Sequence, residues 1–307
     1  MRDAFVRSLL AVAHCDPRVV LMTGDLGFGV LNEYRAECPN QFYNVGVAEQ
    51  NLAGVAAGLA LSGHVVFTYS IGNFPTLRCL EQIRNDICYH GANVKIVTVG
   101  GGMAYGALGY SHFATEDLAI LRALPGLTVV APGDPIEVEQ LVPQIVARPG
   151  PVYLRLGRAG EAPQHDPGVQ VTLGRLTRAR AGSDVLLLTA GGMLPVALAA
   201  AGLLEPLGVS AEVVSVHTLK PLDDGELTRL ASRFPAVVTC EEHGAIGGLG
   251  SAVAEVLLEA GISAAFRRFS LGAGFPEGIG SQEHLRKANR LDAAALRETV
   301  QGLVRHP

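Results

Sequence analysis

Five short runs in the first half of the chain are apolar almost without interruption: RVVLMT (18–23), HVVFTY (64–69), NVKIVTV (93–99), LTVVA (127–131) and PVYLRL (151–156). A strand with one face in water alternates between apolar and polar residues. A strand apolar on both faces has to be covered on both. Helical patterns near 3–14, 47–62, 76–89, 116–123 and 134–147 lie between these runs. Strand and helix in strict alternation predict a parallel sheet wrapped by helices. The pattern then breaks over 161–180, which reads as a linker rich in Gly, Pro and Arg. It resumes with DVLLLTA (184–190), AEVVSV (211–216), AVVTCEE (236–242) and AAFRRFS (264–270), with helices near 194–206, 223–233 and 249–260. The expected architecture is two doubly wound α/β domains, 1–160 and a smaller 181–307, joined by the 161–180 linker.

The length of 307 residues is enough for two such cores. A net charge of −5 with no long basic block argues against a nucleic-acid partner; the densest basic stretch, GRLTRARAG (174–182), reads as solvated linker. Five scattered cysteines without a C-x-x-C pair suit a reducing compartment. The N-terminus reads as an amphipathic helix rather than a leader, and no apolar run approaches the ~20 residues of a membrane span. The expectation is a cytoplasmic protein.

One residue stands out. In NVGVAEQN (44–51) Glu49 is the only charged residue between Glu37 and Arg78, at the start of the apolar helix LAGVAAGLAL. A helix N-terminus favours an ionised carboxylate, whereas apolar surroundings raise its pKa. A surface dipole residue is the plain reading. A helix apolar all round is buried, however, and a buried carboxylate needs a partner. No Lys or Arg near it in sequence offers one, which leaves another segment, another chain or a cofactor.

The stretch FYNVGVAEQNLAGVAAGLALSG resembles the pyrimidine-binding domain of the transketolase family of thiamine-diphosphate enzymes. The resemblance runs on through RCLEQIRNDICYHGANVKIV, SHFATEDLAILRALPGLTVVAPGDPIEVE and GPVYLRLGR, and returns at VVTCEEHGAIGGLGSAVAEVL. It covers nearly the whole chain and implies a pyrimidine-binding domain followed by a transketolase C-terminal-like α/β domain. By this resemblance Glu49 contacts the aminopyrimidine ring nitrogen of thiamine diphosphate. Sharing a proton there stabilises the imino form of the ring's amino group, which then deprotonates the thiazolium carbon; the cofactor carries the carbanion chemistry. A partly buried Glu suits that exchange.

The same resemblance makes Phe74 and Ile71 neighbours of the pyrimidine ring. Ile71 stands where the family has an aromatic and can pack but not stack. Asp25, in TGDLG, matches an Asp near the cofactor between subunits, although Asp after a strand also commonly caps a turn. His112, in GYSHFATED, matches a channel His that donates to substrate oxygen. Arg158 and Arg2 match arginines that hold a sugar phosphate, for which the guanidinium fork is suited; either could serve a structural ion pair. Glu116 and Asp117 read as charges at the start of the next helix. GGGMAYGALGY (100–110) lacks the Lys of a phosphate loop, and EEHGAIGGLG (241–250) reads as a structural turn into a helix.

The family holds the diphosphate through Mg²⁺ on another domain that carries a G-D-G motif. No GDG occurs in this sequence, and no metal ligands are expected here. The resemblance therefore implies a C-terminal section of a split enzyme, with a diphosphate-binding partner subunit in a dimer of heterodimers. Gly100 and Leu108 replace a His and an Asp that read sugar hydroxyls, and Gly29 stands where a phosphate-binding Ser is common. These losses point to a specialised two-carbon ketol transferase acting on an altered sugar or another ketone. A β subunit of a 2-oxo acid dehydrogenase or decarboxylase and a non-catalytic homologue that binds a partner remain the alternatives.

Overall fold

A computed structural model gives the fold, with residues 1–272 and 274–305 described. Two sheets organise it. The first has seven strands: β1 (Val19–Thr23), β2 (Phe42–Asn44), β3 (Val65–Ile71), β4 (Val94–Val99), β5 (Thr128–Val130), β6 (Val152–Arg155) and, from far down the chain, β10 (Thr218–Lys220). Their order is β10-β5-β6-β4-β3-β1-β2. All neighbours are parallel except β10, which lies antiparallel on β5. Helices α1 (Arg2–Ala13) and α6 (Pro135–Ala147) pack on one face. On the other lie α3 (Glu49–Leu61), α4 (Leu80–Gln82) with the π turn Ile83–Cys88 that continues it, and α5 (Asp117–Arg122). A short α2 (Asn32–Glu37) follows β1.

The second sheet contains β7 (Thr177–Arg180), β8 (Val185–Thr189), β9 (Ala211–Ser215), β11 (Ala236–Gly244) and β12 (Ala265–Leu271), in the order β12-β11-β8-β9-β7. Only β7 is antiparallel to its neighbour. Its helices are α7 (Leu194–Leu204), α8 (Asp224–Ala231), α9 (Leu249–Glu259), α10 (Gln282–Ala288) and α11 (Ala293–Arg305). The apolar runs read as strands are strands, and β1, β4, β5, β6, β8 and β9 are buried along their whole length. Burial on both faces is why they carry no alternation.

Three features depart from the sequence reading. The expected linker ends in β7, and the segment before it is held by α6: Gln140 Nε2 donates to the Val169 carbonyl (2.8 Å) and Gln144 Nε2 to that of Val171 (2.9 Å), while each amide oxygen accepts from a linker N–H. Side-chain amides thus stand in for a missing strand. Second, α3 is not buried all round. Ala53, Ala56, Ala57 and Ala60 face the sheet, but Val55 and Leu61 are exposed, as is Val47 just before the helix. Third, Glu116 makes no capping hydrogen bond at α5, whereas Asp117 does lie in its first turn, as read, but with further partners. Asp117 is buried and accepts from Tyr153 Oη (2.5 Å) and Arg155 Nε (2.8 Å). EEHGAIGGLG is the structural turn expected: Glu241 accepts from the N–H groups of Leu249 (2.7 Å) and Gly250 (2.8 Å) and so caps α9.

Candidate active site

The first sheet reverses its winding at β1. The chain goes from β1 to β2 on one side, then crosses to β3 on the other. Ligands of open α/β sheets bind beyond the carboxyl ends of the strands at such a switch point. The residues singled out in the sequence gather there.

Glu49 begins α3, with its side chain 4% exposed. Gly24, just past β1, lets the backbone come close: a Cβ there would sit 3.2 Å from the Gly46 carbonyl and 3.8 Å from Glu49 Cγ. The carboxylate does have a protein partner. Arg78 Nη1 donates to Glu49 Oε2 at 2.8 Å. Of the partners the sequence left open, another segment of the same chain supplies this one. The turn after β3 folds Arg78 back over the helix start, so the first Lys or Arg that follows Glu49 in sequence is its partner in space. Glu49 Oε1 accepts no hydrogen bond among the described residues. The Arg78 guanidinium is half-exposed and also lies 5.3 Å from the centroid of the Phe74 ring. Phe74 in turn meets the His112 ring edge-on at 5.2 Å. His112 Nδ1 is 3.0 Å from Ser111 Oγ. Glu49, Arg78, Phe74 and His112 therefore form one continuous wall.

Ile71 ends β3, and its carbonyl accepts from Phe74 N–H at 2.9 Å, so the two lie in one turn. Ile71 also lines a neighbouring pocket with Arg2, Phe28, Tyr69, Val99 and Tyr105. Arg158 lies over the Tyr105 ring at 5.6 Å, and its carbonyl accepts from Arg2 N–H at 3.1 Å. Arg2, Arg158 and Ile71 thus surround Tyr105. Asp25 has φ +58°, unusual for a residue other than glycine. It is held by Asn44: Asp25 N–H donates to Asn44 Oδ1 (2.9 Å), and Asn44 Nδ2 donates to Asp25 Oδ1 (3.1 Å). Strain maintained by a neighbour at the mouth of a switch point fits a positioned carboxylate.

At Gly100 the glycine stretch carries a steric constraint. Gly100 has φ +88°, and a Cβ there would lie 2.2 Å from Tyr105 Cδ2. The Tyr105 ring fills the space a side chain at position 100 would need. Leu108 is exposed on a short helical turn. Gly29 also has positive φ but is open, with nothing near its missing Cβ. Among the described residues no cluster of three or more metal-ligating side chains occurs, and no helix is long and apolar enough to cross a membrane.

Sequence reasoning missed Arg78, Asn44 and Tyr105. Arg78 was visible as the first charge after Glu49. Asn44 and Tyr105 act through contacts across loops that no spacing reveals.

The fold and this wall define an α/β protein with a candidate ligand site at the switch point of its first sheet and a second α/β unit following it in the chain. Residues 1–160 match the family described as transketolase, pyrimidine binding domain, and residues 174–296 match transketolase, C-terminal domain. The chain belongs to the transketolase family and is one subunit of a transketolase-like, thiamine-diphosphate-dependent transferase. It is 40% identical over 260 residues (84% of this chain, 81% of the relative) to the 6-deoxy-6-sulfo-D-fructose transketolase subunit of Clostridium sp. (strain MSTE9). It is 37% identical over 260 residues (84% and 83%) to one of the subunits of apulose-4-phosphate transketolase from Phocaeicola vulgatus. A solved structure described as a split gene transketolase, inactive beta4 tetramer, superposes with a TM-score of 0.89 at 38% identity, covering 99% of this chain and 97% of that one.

Proposed function

We propose that this chain is the pyrimidine-binding half of a two-polypeptide enzyme that moves a two-carbon ketol unit from a ketose to an aldehyde, while the diphosphate and Mg²⁺ are held by the partner polypeptide. The observation that carries the reading is Glu49: a buried carboxylate at the switch point with one oxygen engaged and the other open. That open Oε1 is where a ring nitrogen fits, beside the Phe74 face. Thiamine diphosphate, when bound, supplies the electron sink that ketol transfer needs.

Glu49 Oε1 takes and returns a proton at the ring nitrogen, while Arg78 on Oε2 holds the carboxyl in place. Phe74 and Ile71 pack the ring. His112, anchored through Nδ1 to Ser111, is left with Nε2 to bond a substrate oxygen. Asp25, fixed by Asn44, lies at the exposed edge where a second polypeptide closes the site. Arg2 and Arg158 flank a pocket whose walls are otherwise largely apolar and aromatic, which suits a substrate with an anionic end and few hydroxyls read near Tyr105. The relatives named for a sulfonated ketose and for apulose 4-phosphate support a specialised ketose of this kind. The exposed Val47 before α3 and Val55 and Leu61 along it leave apolar surface for a contact between subunits, in keeping with a split-gene neighbour that forms a tetramer.

The test is co-expression with a polypeptide carrying the G-D-G motif, followed by cofactor binding and an assay over sulfonated, phosphorylated and plain ketoses and 2-oxo acids. Ketol transfer by the complex and none by this chain alone is expected. Activity of this chain alone, or turnover of 2-oxo acids only, overturns the proposal.

A further inference from the structure

The second sheet has its own switch point. The chain passes from β8 to β9 on one side and returns to β11 on the other. Beyond the carboxyl ends of β8 and β11 opens a cavity of about 270 Å³, lined by Gly191 and Gly192 at the start of α7, Gly101, Arg155, Glu242 and Arg286. It shares no lining residue with the pocket around Tyr105.

Arg155 is 4% exposed. Its Nε donates to Asp117 (2.8 Å), and its Nη2 donates to the carbonyls of Ala114 (2.6 Å) and Glu242 (3.0 Å). Its Nη1 has no partner among the described residues and stands 3.6 Å from where a Cβ on Gly191 would lie. Arg286 repeats the pattern: Nε and Nη2 serve Glu242 and the Gly192 carbonyl, and Nη1 is left over. The acidic groups of the wall are engaged. Glu242 accepts from Met103 N–H (2.7 Å), Gln282 and Arg286, and Glu161 from the Met1 amine (2.8 Å). The unused capacity of the lining is therefore on the donor side, in the Nη1 groups that two otherwise largely buried arginines (4% and 15% exposed) present to the cavity. The positive end of α7 borders the same space.

We propose that this cavity binds the oxyanion of a small metabolite, phosphoryl or carboxylate, between the two arginines. Its volume lies just below the roughly 300–1,000 Å³ of drug-sized ligand pockets, which favours a compact acid over a nucleotide. The proposal does not depend on the ketol-transfer reading.

Inorganic phosphate and malonate, titrated separately into the full chain labelled with ¹⁵N-glycine, distinguish the two anion types. Expected is a saturable shift of the Gly191 and Gly192 amides by at least one of them. Affinity should fall at least tenfold in Arg286→Gln and in Gly192→Val, whose side chain would enter beside Arg286 Nη2, and persist in Arg2→Ala. No saturable shift with either anion overturns the proposal. So does binding that survives Gly192→Val but is lost in Arg2→Ala. If both cavity variants fail to fold, the wild-type amide shifts decide.

Discussion

At the scale of single residues, Glu49 and Arg78 divide one carboxylate between two tasks. Oε2 is tied to a half-exposed guanidinium, a contact of modest energy in water, and Oε1 stays open for a proton donor. Glu49→Gln keeps the shape and removes the proton acceptor. In the reconstituted complex its kcat should fall by about 10²–10⁴, with the melting temperature of the chain little changed. Arg78→Met should cost far less in kcat and act chiefly on the cofactor concentration needed for half-saturation. Glu49 was legible in the sequence because a lone charge in an apolar tract has few structural excuses. Its Arg78 partner was overlooked because the two are 29 positions apart, and a helix, a strand and a turn intervene before they meet.

At the scale of elements, what the sequence displayed was burial. Strands covered on both faces announce themselves as unbroken apolar runs, so β1, β3 to β6, β8, β9 and β11 could be read within a residue or two; β12 (AFRRFSL), half-exposed and carrying two arginines, was read from its flanking apolar residues. β2, β7 and β10 could not. They are short, they lie at sheet edges, and β7 (TRAR) carries an edge strand's charge. The Gly100 turn was read as a loss of polar groups; the structure adds that the Tyr105 ring occupies the space a side chain there would need. Gly100→Ala combines a positive φ with a clash and should cost upwards of about 2 kcal/mol in chemical denaturation. Tyr105→Ala in the same chain should recover the steric part, a coupling measurable by a double-mutant cycle. The Glu241 cap makes a second prediction. Glu241→Ala strands two N–H groups at the start of α9 and should cost about 1–3 kcal/mol by the same measurement.

At the scale of the whole molecule, a buried polar cluster ties α6 to the connecting segment: Asp134, which caps α6, and Glu137 within it meet His165, and His217 is buried nearby beside β10. Burial pushes Glu137 up to about 7, against the hydrogen bond from Gly133 N–H. Burial also opposes ionisation of Asp134, but hydrogen bonds from His165 and from the Glu137, His165 and Gln164 amides outweigh it and hold the group at about 2. His217 is pushed down to about 4 by burial, with His165 nearby adding to the effect. The signs then oppose. Between about pH 4.5 and 7 the folded state holds the Glu137 proton and the unfolded state does not, so this group makes stability fall as pH rises. Between about pH 4 and 6.5 the unfolded state holds the His217 proton and the folded state does not, so that group makes stability rise. Glu137→Gln should unmask the second trend: its melting temperature should climb more steeply from pH 4.5 to 6.5 than that of the wild type. An unchanged profile would mean the carboxyl does not titrate there. The pairing of β10 with β5 also has a consequence in time. On the ribosome, β5 is complete at Val130, but the strand that covers its edge begins at Thr218. At about 5–20 residues per second, the nascent sheet waits roughly 5–18 s with that edge uncovered. During that interval a chaperone, or a neighbouring nascent copy, can compete for the place β10 will take.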